Sequence, residues 1–198
     1  MQLYSLVRDD LKTGDILLFS GNGFFSKVIK FATRSKWSHV GMVYKNRESG
    51  ILFVYESTSI SNVTNVDSGE PLNGVQLTPL SKRLRLYNGV VAVRKLENAS
   101  LNDDAQAAIE QLMYEFEGKP YEEDKLELAK SALDLISIEN EEDLSTLFCS
   151  ELIAEVYQRI GLLDEDKPSN EYTPADFAAS TKALGLISGE LTEPIELK

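Results

Sequence analysis

Short apolar runs bounded by turn residues fill the first half of the chain, and helical periodicity takes over in the second. Thr13-Gly14-Asp15 is a turn signal ahead of Ile16-Leu17-Leu18-Phe19, which predicts a buried first strand over 15–20. After Gly21-Asn22-Gly23, the residues Phe24, Phe25, Val28, Ile29, Phe31 and Ala32 share a segment with Lys27, Lys30 and Arg34. This is the pattern of a helix with a broad apolar face and a basic edge. Such a helix more commonly covers a sheet than lies on a membrane surface, and covering a sheet is the expectation.

Trp37 to Tyr44 has strand composition, with His39, Gly41 and Val43 on one face and Val40, Met42 and Tyr44 on the other. The polar loop Lys45-Asn46-Arg47-Glu48-Ser49-Gly50 leads into a second strand over Ile51 to Glu56, so the two form a β-hairpin. With Tyr44 opposite Ile51, His39 falls opposite Glu56. Directly opposed residues have Cβ atoms roughly 4.5–5.5 Å apart, close enough for a carboxylate to hold an imidazole. A slip of two residues would leave the pair diagonal on one face, and a slip of one would separate them.

Residues 57–73 read as a long polar loop, of the kind that often forms a functional rim. Strands are predicted over Gly74 to Leu80 and Gly89 to Leu96, joined through Ser81-Lys82-Arg83-Leu84-Arg85, a basic connection whose simplest reading is solvation. A helix from about Leu101 to Glu117 buries Ala105, Ala108, Ile109, Leu112, Met113 and Phe116, and Gly118-Lys119-Pro120 stops it. A second helix is predicted over 124–135, and a third carries Cys149, Leu152, Ile153, Val156 and Ile160 on its apolar stripe before Gly161. Thr173 and Pro174 have the chemistry of an N-cap and first residue of a further short helix, and the last dozen residues look peripheral.

The length of 198 residues and an apolar fraction of 42% suit one domain over 1–198 with a substantial core. Residues 97–143 hold fifteen Asp/Glu against three Lys/Arg. Elsewhere the two signs balance, so the formal charge of −12 belongs to this one acidic, helical insertion. A solvated surface is its simplest reading, because it lacks the alternating Asp/Asn pattern of a calcium loop. The overall charge argues against nucleic-acid binding, which needs a positive footprint. One cysteine and one histidine furnish neither a disulfide nor a zinc site of the usual kind, and no metal or cofactor is assigned. The first ten residues lack the basic and apolar regions of a signal peptide, and no stretch reaches the ~18 apolar residues of a membrane span. A cytoplasmic protein without an integral membrane segment is the expectation.

Cys149 is placed at what reads as the first turn of its helix, where the dipole and unpaired backbone N–H groups favour a thiolate. A lone cysteine on an apolar stripe is more often a small core residue, and a lone histidine on a strand more often structural. Three features in conjunction point to chemistry. The only thiol heads a helix, the only histidine faces an acid across a hairpin, and Gly41 leaves space beside it on the same face. A cysteine hydrolase needs this set: Cys149 as nucleophile, His39 as base, Glu56 to fix the ring, and the Cys149 backbone N–H toward the oxyanion.

These pieces carry a resemblance. Leu11-Lys12-Thr13-Gly14-Asp15-Ile16-Leu17-Leu18-Phe19, Trp37-Ser38-His39-Val40-Gly41-Met42-Val43, Val54-Tyr55-Glu56-Ser57, Gly118-Lys119-Pro120-Tyr121 and Phe148-Cys149-Ser150-Glu151-Leu152, in that order, resemble the circularly permuted NlpC-type cysteine peptidases, in particular the YiiX/YaeF-like amidases. The resemblance spans roughly residues 11–180, and the histidine preceding the cysteine matches the permuted branch. It implies an α+β papain-like fold, with an antiparallel sheet or partial barrel packed against the nucleophile helix. It also implies hydrolysis of an amide in a peptide, isopeptide, cell-wall-peptide-like or acyl-amide substrate. Matched by motif, Cys149, His39 and Glu56 are catalytic, with Tyr121, Gly41 and Ser38 at the substrate. Related permuted acyltransferases, which typically use a second histidine and often a membrane anchor, are the next reading. A binding module that keeps the fold without the chemistry is the third.

Overall fold

The apolar runs of the first half pair with one another into a single antiparallel sheet. The computed structural model describes residues 2–58, 69, 74–99, 101–116 and 145–198. Strands β1 (Ile16–Gly21), β2 (His39–Lys45), β3 (Leu52–Thr58), β4 (Gly74–Pro79) and β5 (Gly89–Arg94) are followed by the short β6 (Leu96–Glu97), β7 (Glu190–Leu191) and β8 (Ile195–Glu196). The main sheet runs β4-β3-β2-β1-β5-β8, and β6 pairs with β7 apart from it. Six α-helices lie among the described residues: α1 (Gln2–Val7), α2 (Phe24–Ala32), α3 (Leu80–Leu86), α4 (Asp103–Phe116), α5 (Ser145–Arg159) and α6 (Thr181–Leu184).

Both faces of the sheet are covered, which is why β1 and β3 read as near-continuous apolar runs rather than alternating ones. On one face Ile16, Leu18, Val40, Met42 and Tyr55 join Cys149, Leu152, Ile153 and Val156 of α5. On the other, Leu17, Phe19, Val43 and Val54 pack with Leu80 and Leu84 of α3 and Tyr4 of α1. The predicted alternation of β2 is therefore correct, with His39 and Gly41 on the α3 side.

Three expectations need correction. The connection 81–85 belongs to α3, and its Arg83 is buried rather than solvated. The segment after Thr173 makes one 3-10 turn, Asp176–Ala178, and Asp176 Oδ2 accepts from the Thr173 N–H and hydroxyl, so the capping runs opposite to that expected. The final residues are structural: β8 closes the β5 edge, and Leu197 is buried. Arg94, itself buried, holds this tail by donating to the carbonyls of Thr192, Leu191, Phe177 and Ala179 at 2.6–3.1 Å.

Asp15, at the turn entering β1, is completely buried because its carboxylate replaces missing backbone partners: Oδ2 accepts from the Lys12 N–H and Oδ1 from the Leu96 N–H, each at 2.9 Å. It thereby ties the start of β1 to β6. Asp15→Ala strands both donors and is expected to lower stability by about 2–4 kcal/mol, read as an earlier denaturant midpoint with an unchanged slope. The predicted helix over 124–135 lies outside the described residues.

Candidate active site

His39 opens β2 at the end of the sheet, paired with Phe19 of β1. Ser38 fixes this end: its hydroxyl accepts from the Gly21 N–H at 3.2 Å and donates to the Phe19 carbonyl at 3.4 Å, while its own N–H bonds the same carbonyl at 2.8 Å. The hairpin register differs by two residues from the predicted one, with Tyr44 opposite Phe53 and Met42 opposite Tyr55. The reason is Asn46. Its side-chain oxygen accepts from the N–H groups of Glu48 and Ser49, and this Asx turn moves the six-residue loop to 46–51.

In the observed register Glu56 falls beside Gly41 and diagonal to His39 on the same face. Diagonal neighbours are within reach of long side chains, and Glu56 Oε2 lies 2.7 Å from His39 Nε2. Gly41 makes room for this contact: a Cβ there would lie 3.0 Å from Val54 Cγ2 and 3.2 Å from the Glu56 Cβ. Ser38 and Gly41, expected at the substrate, are thus placed inside the fold, where one holds the strand end and the other clears the path for the Glu56 stem. Tyr121 lies outside the described residues.

Arg83 completes the polar group and was not among the expected residues. Its Nε donates to Glu56 Oε1 at 2.6 Å and its Nη2 to Oε2 at 3.1 Å, with both side chains almost fully buried. The guanidinium lies 5.1 Å from the Phe19 ring centre and 5.0 Å from that of Tyr87. Phe19 also meets the His39 ring edge-on, with centroids 5.1 Å apart. Two aromatic rings therefore hold the arginine, and one of them also buttresses the histidine. The signal was helical spacing: Leu80, Arg83, Leu84 and Tyr87 recur on one stripe, which puts the arginine among core residues.

Cys149 hydrogen-bonds His39 from α5. With Nε2 engaged by Glu56, the imidazole's Nδ1 is the nitrogen left for the sulfur. Burial alone would push the ring's pKa down, but its interactions with Cys149, and after it Glu56, outweigh burial and raise it to about 9. Burial alone would raise the Glu56 carboxyl; the Arg83 guanidinium, and after it His39, hold it down at about 2. Burial pushes the Tyr87 phenol up to about 12, so it stays neutral beside Ser38, to which it hydrogen-bonds. Arg83, Glu56 and His39 thus alternate in sign along one buried chain that ends at the Cys149 sulfur.

Two expectations about the cysteine change. Helix α5 begins at Ser145, so Cys149 is its fifth residue rather than in its first turn. The dipole effect fades beyond that turn, and in a regular helix the Cys149 N–H bonds the Ser145 carbonyl instead of pointing at an oxyanion. His39, rather than the helix terminus, is the group that meets the sulfur. The sulfur is also enclosed: Cys149 is 0% exposed and shares the core with Val40 and Ile153. The core reading describes its packing.

The family model of permuted papain-like amidases, YaeF and YiiX, matches residues 10–173. An uncharacterised protein of Acanthamoeba polyphaga mimivirus is 29% identical over 194 residues, covering 86% of this chain and 75% of its own length. The crystal structure of the metalloprotein yiiX of Escherichia coli is 22% identical, with a TM-score of 0.48 over 92% of this chain and 88% of its own.

Proposed function

Because this chain belongs to the permuted papain-like amidases of the YaeF/YiiX family, we propose that it cleaves amide bonds through Cys149, with His39 as its proton carrier and Glu56 as the group that orients the ring. The observation that supports this reading most is the buried relay from Arg83 through Glu56 and His39 to Cys149. In the resting pair the thiolate faces an imidazolium. The sulfur attacks the carbonyl carbon of the substrate, and the electron pair moves to the carbonyl oxygen. As the tetrahedral adduct collapses, the C–N bond breaks and His39 Nδ1 gives its proton to the departing amine. A thioester remains on Cys149. Neutral His39 then takes a proton from water, the hydroxide attacks the thioester, and the acid leaves as thiolate and imidazolium are restored. Ser38, Phe19 and Gly41 serve by fixing the ring's position.

The substrate class is a peptide, an isopeptide or a cell-wall-peptide-like amide. Turnover of peptide amides, N-acyl-lysine isopeptides, lipid esters and acyl thioesters, with mass spectrometry of the trapped acyl-enzyme, is the test. Amide turnover that disappears in Cys149→Ala is the expected result. Turnover of acyl lipids alone would replace the amidase by an acyltransferase or thiol esterase. No acyl adduct on any substrate would leave a binding module.

A further inference from the structure

Helix α2 meets the end of β1 through two polar side chains. Ser26 sits against the end of β1, so close that a Cβ on Gly21 would come within 2.4 Å of its hydroxyl, and Lys30 Nζ donates to the Gly21 carbonyl at 2.7 Å. Phe24 and Phe31, two turns apart and hence on one face, are 65% and 88% exposed. Val28 lies between them, half-buried, and none of the helix's described side chains is buried. The expectation that this helix covers the sheet is therefore corrected: it lies beyond the end of β1 and leaves Phe24 and Phe31 exposed. Isolated exposed aromatics need no explanation, but two of them on one face of a helix do.

The charge around that face is equally particular. From residue 16 to residue 47 the chain has six Lys/Arg and no Asp or Glu, although the whole chain carries 32 acidic against 20 basic residues. Lys27 and Arg34 are exposed on and just after the helix. Aromatic anchors ringed by cations match the boundary between acyl chains and anionic headgroups. A second copy of this chain fits less well, since a two-fold contact through the helix would bring its cations together. The helix also leaves β1 at the sheet end where His39 begins β2, with Ser38 bonded to Gly21 between them.

We propose that α2 is an interfacial helix that seats the His39 end of the sheet on an anionic lipid bilayer. Phe24 and Phe31 enter the headgroup–acyl boundary, and Lys27 and Arg34 meet the lipid phosphates. Among the described residues no helix is long and apolar enough to cross a membrane, so the attachment is peripheral and reversible.

Cosedimentation of the full chain with vesicles of phosphatidylcholine alone, or mixed with phosphatidylserine, tests this. The wild type is expected to pellet with the mixed vesicles and much less with phosphatidylcholine, and added salt should weaken binding. Phe24→Ser with Phe31→Ser should lower partitioning by about a hundredfold, about tenfold per lost aromatic anchor. Lys27→Glu with Arg34→Glu should remove the preference for phosphatidylserine. All four residues are at the surface, so circular dichroism should stay that of the wild type. Cys149→Ala should bind as the wild type does, so failure of the amidase reading and failure of this one are separable. Wild type that stays in solution with anionic vesicles overturns the proposal, as does binding indifferent to the phenylalanine changes. A dimer broken by those changes, without vesicle binding, would make a second copy the occupant and overturn it too.

Discussion

His39→Ala is expected to cut amide turnover by about 10³–10⁴-fold, the scale on which a positioned proton carrier in a nucleophile–base pair acts. The variant loses two things together: the cation that holds the sulfur's charge and the proton delivered to the leaving amine. The ring's value is raised to about 9, so its imidazolium persists through neutral pH, and the proposed mechanism sets the Cys149 sulfur against it as a thiolate. The thiolate's ultraviolet absorbance, taken as wild type minus Cys149→Ser, should therefore be present at neutral pH, and in His39→Ala it should be absent there. This readout does not require a reagent to reach a sulfur with no exposed surface. Iodoacetamide labelling should show the same collapse wherever native fluctuations admit the reagent.

The same shift fixes a stability signature. The folded-state value of His39 is raised above its ordinary 6.5, so the stability it contributes is fully present below 6.5 and is lost as the pH rises through about 9. Wild type should weaken across that window, and His39→Ala should not. A variant that retains neutral-pH thiolate absorbance, or keeps more than a tenth of wild-type turnover, would remove His39 from the proposed mechanism.

The sheet was legible because its strands announce themselves locally: turn residues before Ile16, alternation through His39 to Tyr44, and an apolar run from Leu52 to Tyr55. That His39 and Glu56 share a face was legible for the same reason, and motif order carried the family. The exact register was not, because it depends on whether Lys45 opens the loop or ends the strand, which the Asn46 carboxamide decides by turning back onto Glu48 and Ser49. The hydrophobic pattern is blind to that choice, since a two-residue slip keeps every side chain on its own face. His39 and Glu56 survived the slip for this reason.

Arg83 was missed for a different reason. Charge was taken as a sign of solvent in a segment whose helical stripe, Leu80, Leu84 and Tyr87, already placed residue 83 inward. The C-terminal strands were overlooked because two-residue strands such as β7 and β8 carry no periodicity. They are recruited by the open edge of β5 and the carbonyl-seeking guanidinium of Arg94. The exposure of Phe24 and Phe31 on α2 could not be read from its amphipathic pattern, because that pattern says which side is apolar and not what covers it. The contacts of Ser26 and Lys30 with Gly21 place the helix beyond the end of β1.

Arg83→Met should destabilise the protein by about 3–5 kcal/mol, the cost of breaking a buried ion pair by removing one partner. Against a total stability of about 5–15 kcal/mol, this lowers the melting temperature by roughly 10 °C, at a few degrees per kcal/mol for a chain of this size. Arginine is needed for its shape as well as its charge: it engages both Glu56 oxygens and lies between Phe19 and Tyr87, which a point charge cannot do. Arg83→Lys should therefore fall between wild type and Arg83→Met. The sign of the pH effect follows from Glu56. Its folded-state value is depressed from 4.5 to about 2, chiefly by Arg83 against the opposing effect of burial. The stability it contributes is present above 4.5 and lost as the pH falls through about 2, so removing Arg83 should move the acid-unfolding midpoint upward. Adding Glu56→Gln to Arg83→Met should recover part of the loss, because the stranded charge is then gone. The double variant should stay catalytically poor, since a neutral amide no longer holds the imidazolium. An Arg83→Met variant within 1 kcal/mol of wild type, with an unmoved acid midpoint, would show that His39 alone suffices to hold the Glu56 charge, and that Arg83 only fills space between the rings.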